Sequence, residues 1–303
     1  MFHSREFPAQ FQHLAGTGDG NCRSHFARFL GREDEIRDVA RHSSPLAPGR
    51  DRVVRFRHSM TTPTDDHWLH AGGDALDVYL LGVVDFEAAQ VLQQQLLAEL
   101  LGRGDRRAIC LVCEHPPLIS LGREGSRSHI LCEPEELAAR QLDVRWINRG
   151  GGAVMHATGQ VAVYPLVPLD RLGLTVASLR DLLTRVAVSA CTEQRLRAEA
   201  VPGTGSIATR GGQVGQVGLA VRSGLSRQGL FLNVNPSPRL YQLVDAGLGR
   251  QTSIAEDRQR PIHVSSVREC LVRRLAQELG FSRFHVFTGH PLLRRTRRIV
   301  THA

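Results

Sequence analysis

Glycine marks the places where this chain can bring its backbone against a ligand. Arg149-Gly150-Gly151-Gly152 follows an apolar strand directly, so a guanidinium and free amides can meet an anionic or carbonyl group there. It is not a phosphate loop of the Walker type, which needs a lysine, and it does not set G-x-G-x-x-G between a strand and a helix. On these residues alone a structural turn is as good a reading as a ligand loop. His156 opens HATGQ shortly afterwards, where Gly159 again permits close backbone approach. A second stretch, QLVDAGLGRQTSI over residues 242–254, reads as a loop built around an active residue: Gly247 and Gly249 free the backbone and Thr252-Ser253 close it. Ala246 stands at its centre with only a methyl group.

The six cysteines (22, 110, 113, 132, 191 and 270) are scattered, which predicts free thiols rather than a disulfide framework. Cys110 and Cys113 form a C-x-x-C, but inside ICLVC, an apolar run that reads as a buried strand whose alternation sends the two to opposite faces. No second C-x-x-C supports a metal site, and none is expected. All 38 Lys+Arg residues are arginine, so no lysine side chain can take part in any reaction here.

The elements that must position these loops read as an α/β (α+β) domain with a mixed central sheet flanked by helices. LDVYLLG is a strand; Asp85 then caps a helix whose stripe is Ala89, Leu92, Leu96 and Leu100, ended by Gly102. AICLVC, LISLG, VRWIN and VAVYPLV follow as strands, with a short helix from Pro134 between the second and third. A helix over 177–191, several strands with Gly-containing turns through GSIATRGGQVGQVGLAVRSGLSRQGLFLNVN, and a helix over 264–279 complete the pattern, with antiparallel pairing in the strand-rich part. A hydrophobic content of 42% over 303 residues can bury such a core.

Charge is uneven. Residues 1–59 hold 10 Arg against 7 acidic residues, and 281–303 hold 5 Arg against none, so the net +8 lies in the ends. Residues 1–75 are expected to be a weakly ordered extension and linker, 76–280 the domain, and 281–303 an Arg-rich tail. Met60 is the expected translation start, which N-terminal mass analysis checks. RRTRRIV raises nucleic-acid binding as an alternative, but the neutral centre and 5% aromatic content argue against it. With no run of about 18 apolar residues and no apolar core in MFHSREFPAQ, the expectation is a cytoplasmic protein without a membrane partner.

Together, EHPPLISLGR, RGGGAVMHATGQVAVYP, GQVGQVGLAV, QGLFLNVN and AGLGRQTSI, in this order over residues 77–280, resemble the lipoyl(octanoyl) transferases of the biotin/lipoate protein ligase superfamily. The resemblance implies that fold, no cofactor, and transfer of an octanoyl group from acyl carrier protein to a lysine of a lipoyl domain, such as those of 2-oxoacid dehydrogenase or glycine cleavage proteins. In that family a cysteine takes the acyl group as a thioester and a lysine lowers its pKa. By the family pattern the cysteine position here is Ala246, preceded by Asp245, and the lysine position is Gln213. Gln228 stands at a family histidine. No cysteine lies between Cys191 and Cys270, so no shift of register restores the dyad.

The same pattern places the substrate site on Arg149, Gly150, Gly151, Gly152, Ala153, Val154, Met155 and His156, on Gln216, Val217 and Gly218, and on Gly229, Leu230 and Phe231. Phe231 occupies a position where the family usually has alanine, which implies a shortened or blocked tunnel. Three readings follow: acyl transfer by orientation alone; an octanoyl- or lipoyl-domain-binding protein without turnover; or a substitute thiol, Cys113 or Cys132, with Cys132 in the more polar turn.

Overall fold

Apolar runs alternating with amphipathic stretches resolve into eleven strands and six helices among residues 75–247 and 249–293, the part of the chain that the computed structural model describes. The strands are β1 (Leu76–Val83), β2 (Ala108–Glu114), β3 (Leu118–Leu121), β4 (Val144–Trp146), β5 (Ala153–His156), β6 (Gln160–Leu166), β7 (Ala198–Val201), β8 (Ser206–Thr209), β9 (Gly212–Arg222), β10 (Leu225–Asn233) and β11 (Phe284–Thr288). The helices are α1 (Phe86–Leu101), α2 (Pro134–Ala139), α3 (Val176–Glu193), α4 (Pro238–Tyr241), α5 (Ile254–Arg258) and α6 (Val264–Glu278).

Eight strands form one sheet in the order β11-β1-β2-β6-β10-β9-β8-β7, and β4-β3-β5 form a smaller one. β11, β1 and β2 run parallel, and every pair from β2 to β7 is antiparallel, so the sheet is mixed as expected. Helices α3 and α6 cover one face through Leu179, Leu183, Val186, Val267, Leu271 and Leu275. On the other face lies α1, where Asp85 accepts from the Ala88 amide at 3.1 Å and Leu92, Leu96 and Leu100 are buried on Leu111, Ala162 and Tyr164. Each such leucine contributes roughly 1.5–3 kcal/mol. Strand alternation separates the C-x-x-C: Cys110 packs under α3 and α6, and Cys113 under α1.

One boundary moves. The Arg-rich tail expected from residue 281 starts later, because Phe284–Thr288 pairs in parallel with β1 in the register Leu76↔Phe284, and Phe281 and Val286 join the core. FHVFT has the aromatic and β-branched content of a strand, which the neighbouring arginines obscured. The extension before residue 75, the Met60 start and RRTRRIV lie outside the described residues. Among the described residues no helix is long and apolar enough to cross a membrane.

Candidate functional site

The RGGG loop is built around its own arginine. Arg149 is fully buried and donates to the carbonyls of Gly150 (2.9 Å), Ser120 (3.0 Å) and Gly152 (3.0 Å) and to Ser120 Oγ (2.9 Å). The guanidinium also lies 5.7 Å from the centre of the Phe231 ring. Burial pushes its pKa down to about 10, so it remains a cation at neutral pH. The group expected to meet a ligand carbonyl thus meets the protein's carbonyls. Two neighbours must be glycine for the loop to sit so close: a Cβ on Gly122 would fall 2.3 Å from Gly151 O, and one on Gly218 would fall 2.6 Å from Gly150 O.

From Arg149 a continuous hydrogen-bond chain crosses the molecule. Gln160 Nε2 donates to Met155 O and Asn233 Oδ1, so Gln160 Oε1 accepts from His156 Nδ1–H at 3.0 Å. His156 Nε2 then accepts from Ser120 Oγ at 2.8 Å, a tautomer assigned by these partners. Asn233 Nδ2 carries the chain on to Thr252 O at 3.1 Å. Burial, reinforced by nearby His115 and the Arg149 cation, holds the His156 pKa well below the usual histidine range, so the ring is a neutral connector. The RGGG loop and the end of the 242–254 loop are thereby fixed to one buried network.

The second loop is tied at both ends. The Asp245 amide donates to His129 O (2.8 Å), Gln251 Nε2 bonds the carbonyls of Tyr241 and Val244 (3.0 and 2.7 Å), and the Gln213 backbone bonds Arg250 O and the Thr252 amide, both at 2.9 Å. Between these anchors Ala246 and Gly247 line a cavity of about 600 Å³. Its other walls include Gly150, Gly151, Gly152, Gln216, Val217 and the first turn of α3 at Val176 and Ala177. The Asp245 carboxylate turns inward to the loop and accepts from the Gly247 amide at 2.7 Å.

The expected positions therefore divide. Ala246, Gly150, Gly151, Gly152, Gln216 and Val217 meet on the cavity. Gln213, Val154 and Phe231 line a separate void of about 10 Å³. Arg149, Ala153, Met155, His156, Gly218, Gly229 and Leu230 line neither. They brace the walls instead: His156 and Arg149 through the network, Gly218 and Gly229 by letting neighbouring strands and loops approach.

Four polar wall residues were not among the expected site positions. Arg123 is held by Asn148 Oδ1 (3.0 Å), Glu124 Oε1 accepts from the Gly151 amide (3.3 Å), His129 Nδ1 accepts from the Ser126 amide (3.3 Å), and Arg180 pairs with Asp181 (3.0 Å). Gly122 and Gly125, which flank Arg123 and Glu124, were the available signal that LGREG turns sharply toward a partner.

Neither substitute thiol reaches the cavity. Cys113 is buried, its Sγ 3.5 Å from His115 Nε2, and that nitrogen also accepts from Tyr164 OH at 2.7 Å. Burial pushes the Cys113 thiol pKa far up and that of His115 down to about 4, so both are neutral and no thiolate is stabilised. Cys132 is half-buried against the cluster of Ile119 and Leu243, and burial raises its thiol pKa too. Among the described residues no group of three or more His, Cys, Asp or Glu could hold a metal ion.

Residues 85–282 match the family described as the lipoyl protein ligase A/B catalytic domain. The chain belongs to that family. An octanoyltransferase of Chloroflexus aurantiacus is 32% identical over 208 residues, covering 67% of this chain and 93% of the relative. One from a Roseiflexus species is 33% identical over 206 residues, covering 66% and 85%. Among solved structures, an archaeal bipartite lipoate protein ligase of Thermoplasma acidophilum superimposes with a TM-score of 0.58 at 14% identity, covering 71% of this chain and 88% of that one. A lipoate-protein ligase A bound with ATP gives 0.58 at 15% identity, covering 71% and 90%. The mixed sheet with flanking helices is thus the fold of the lipoate protein ligases.

Proposed function

We propose that this protein serves protein lipoylation by binding an acyl thioester and a lipoyl domain without ever becoming acylated itself. The observation that carries this is the position of Ala246: its methyl group opens on the cavity between the glycine loop and Gln216-Val217. A thiol there would meet a thioester carbonyl; a methyl group cannot attack one. Gln213, at the lysine position of the family pattern, is buried and uncharged, and the chain holds no lysine to replace it. The relatives' names supply the acyl group, octanoyl, with acyl carrier protein as its donor by resemblance. The Thermoplasma ligase, described together with its lipoyl domain, supports that partner class.

Two guanidiniums, Arg123 and Arg180, stand on the cavity wall, Arg180 paired with Asp181 outside it, and supply hydrogen-bond donors for a polar partner surface at its mouth. The test mixes purified full-length protein with octanoyl-acyl carrier protein, with lipoyl domain, and with both. Saturable binding of each partner, with lipoyl-domain octanoylation no faster than without the protein, supports a binding role. Catalysed octanoylation would make the protein an enzyme that works by orientation. Failure to bind either partner would end the proposal.

A further inference from the structure

The cavity shares one wall residue, Gln216, with a second and far smaller void of about 10 Å³, a space for about one water molecule. Phe231 faces Gln216 directly across the β9–β10 pairing and Ala162 across the β10–β6 pairing, so the three share one face of the sheet. Its ring fills the room above Ala162, 4.8 Å from the His156 ring and 5.9 Å from Tyr164, with the Arg149 guanidinium 5.7 Å away. Only 1% of Phe231 is exposed.

Around the void stand four further carboxamides, Gln160, Gln213, Asn233 and Gln251. The Oε1 atoms of Gln213 and Gln216 have no hydrogen-bond partner. An alkyl chain entering past Gln216 would meet an aromatic ring that cannot yield without disturbing Arg149 and His156. It would also strand amides that only a small polar occupant can satisfy. We infer that Phe231 is the specificity-determining residue of this site: it closes the way past Gln216 to alkyl chains, so that the protein recognises an acyl thioester near its carbonyl and does not measure chain length. This rests on the reading of the cavity as an acyl site.

A buried methylene strengthens binding about fourfold, so a working tunnel shows itself as a ladder of affinities. The experiment measures Kd by calorimetry for acetyl-, butyryl-, hexanoyl- and octanoyl-pantetheine on the full-length protein, on Phe231→Ala and on Phe231→Leu. The wild-type values are expected to agree within about threefold from butyryl to octanoyl, because the extra methylenes stay in the open part of the cavity. Phe231→Ala opens an apolar space of the order that holds a benzene-sized ligand, and octanoyl then binds at least about tenfold tighter than butyryl. Phe231→Leu gives a smaller slope and carries the test if the alanine variant does not fold. A wild-type affinity that climbs about fourfold per methylene, or equal flatness in wild type and folded variants, overturns the role of Phe231 and leaves the acyl site standing. No binding of any thioester by any of the three proteins overturns the acyl reading of the cavity, and this inference with it.

Discussion

Replacing Arg149 by alanine tests whether the RGGG loop is braced from within. The guanidinium satisfies the carbonyls of Gly150, Ser120 and Gly152 and the hydroxyl of Ser120. Gly152 O keeps a second donor, the Gly122 amide at 3.0 Å, so its loss is partial. Ser120 Oγ keeps its bond to His156 Nε2, which leaves two carbonyls, Gly150 O and Ser120 O, to lose a donor in the interior at about 1–3 kcal/mol each. Release of a buried cation that has no carboxylate against it offsets part of this. A net loss of about 3 kcal/mol corresponds to a fall in Tm of about 6–12 °C for a domain of this size. Arg149→Lys is expected to recover less than half, because an ammonium cannot span acceptors arranged for a planar fork. Thermal unfolding by circular dichroism, paired with acyl-pantetheine binding, reads both consequences: stability falls, and binding weakens because Gly150–Gly152 line the cavity. An Arg149→Ala protein with unchanged Tm but abolished binding would refute the reasoning, since it would place the arginine on the ligand rather than under the loop.

Acid should destabilise the fold in a defined window. His156 and His115 are both held below the ordinary histidine pKa of 6.5 by burial, His115 to about 4, whereas the unfolded chain protonates both near 6.5. The His115 contribution is complete above 6.5 and is lost as pH falls from there toward 4, about 2 kcal/mol of it by pH 5, and His156 adds to the loss in the same direction; urea titrations at pH 7 and pH 5 that gave equal stability would contradict this. Gly218→Ala, whose Cβ would lie 2.6 Å from Gly150 O, should destabilise by about 1–3 kcal/mol and weaken acyl-pantetheine binding, with calorimetry as the check. Ala246→Cys should add one fast-reacting thiol toward an aromatic disulfide reagent, because Cys110, Cys113, Cys191 and Cys270 are buried; no added fast phase would remove Ala246 from the cavity wall.

Much of the scaffold was legible because its signals are local. Asp85 caps α1, and its leucines recur at helical spacing, so that helix needed no tertiary information. GGAVMHATGQVAVYP hid more: it reads as a turn and one strand, yet the turn at Gly159 divides it into β5 and β6, which belong to different sheets. The glycine-flanked loop around Ala246 was visible as a property of adjacent residues; that a cysteine is expected at Ala246 is what the family resemblance implies. Arg149 was read outward because arginine is a ligating type; that its acceptors are Ser120, Gly150 and Gly152 depends on β3 lying beside the loop, which spacing alone does not reveal. Arg123, His129 and Arg180 share the cavity wall only through folding, and no spacing in the sequence brings them together.

The central claim is that no covalent acyl-protein forms on this chain. Intact-mass analysis after incubation with octanoyl-acyl carrier protein tests it most directly, with Ala246→Cys as the positive comparison. The account predicts an unmodified wild-type mass at all times and a hydroxylamine-labile octanoyl adduct on the variant. An adduct of that kind on the wild-type protein, mapped to Cys113, Cys132 or any other residue, would contradict it.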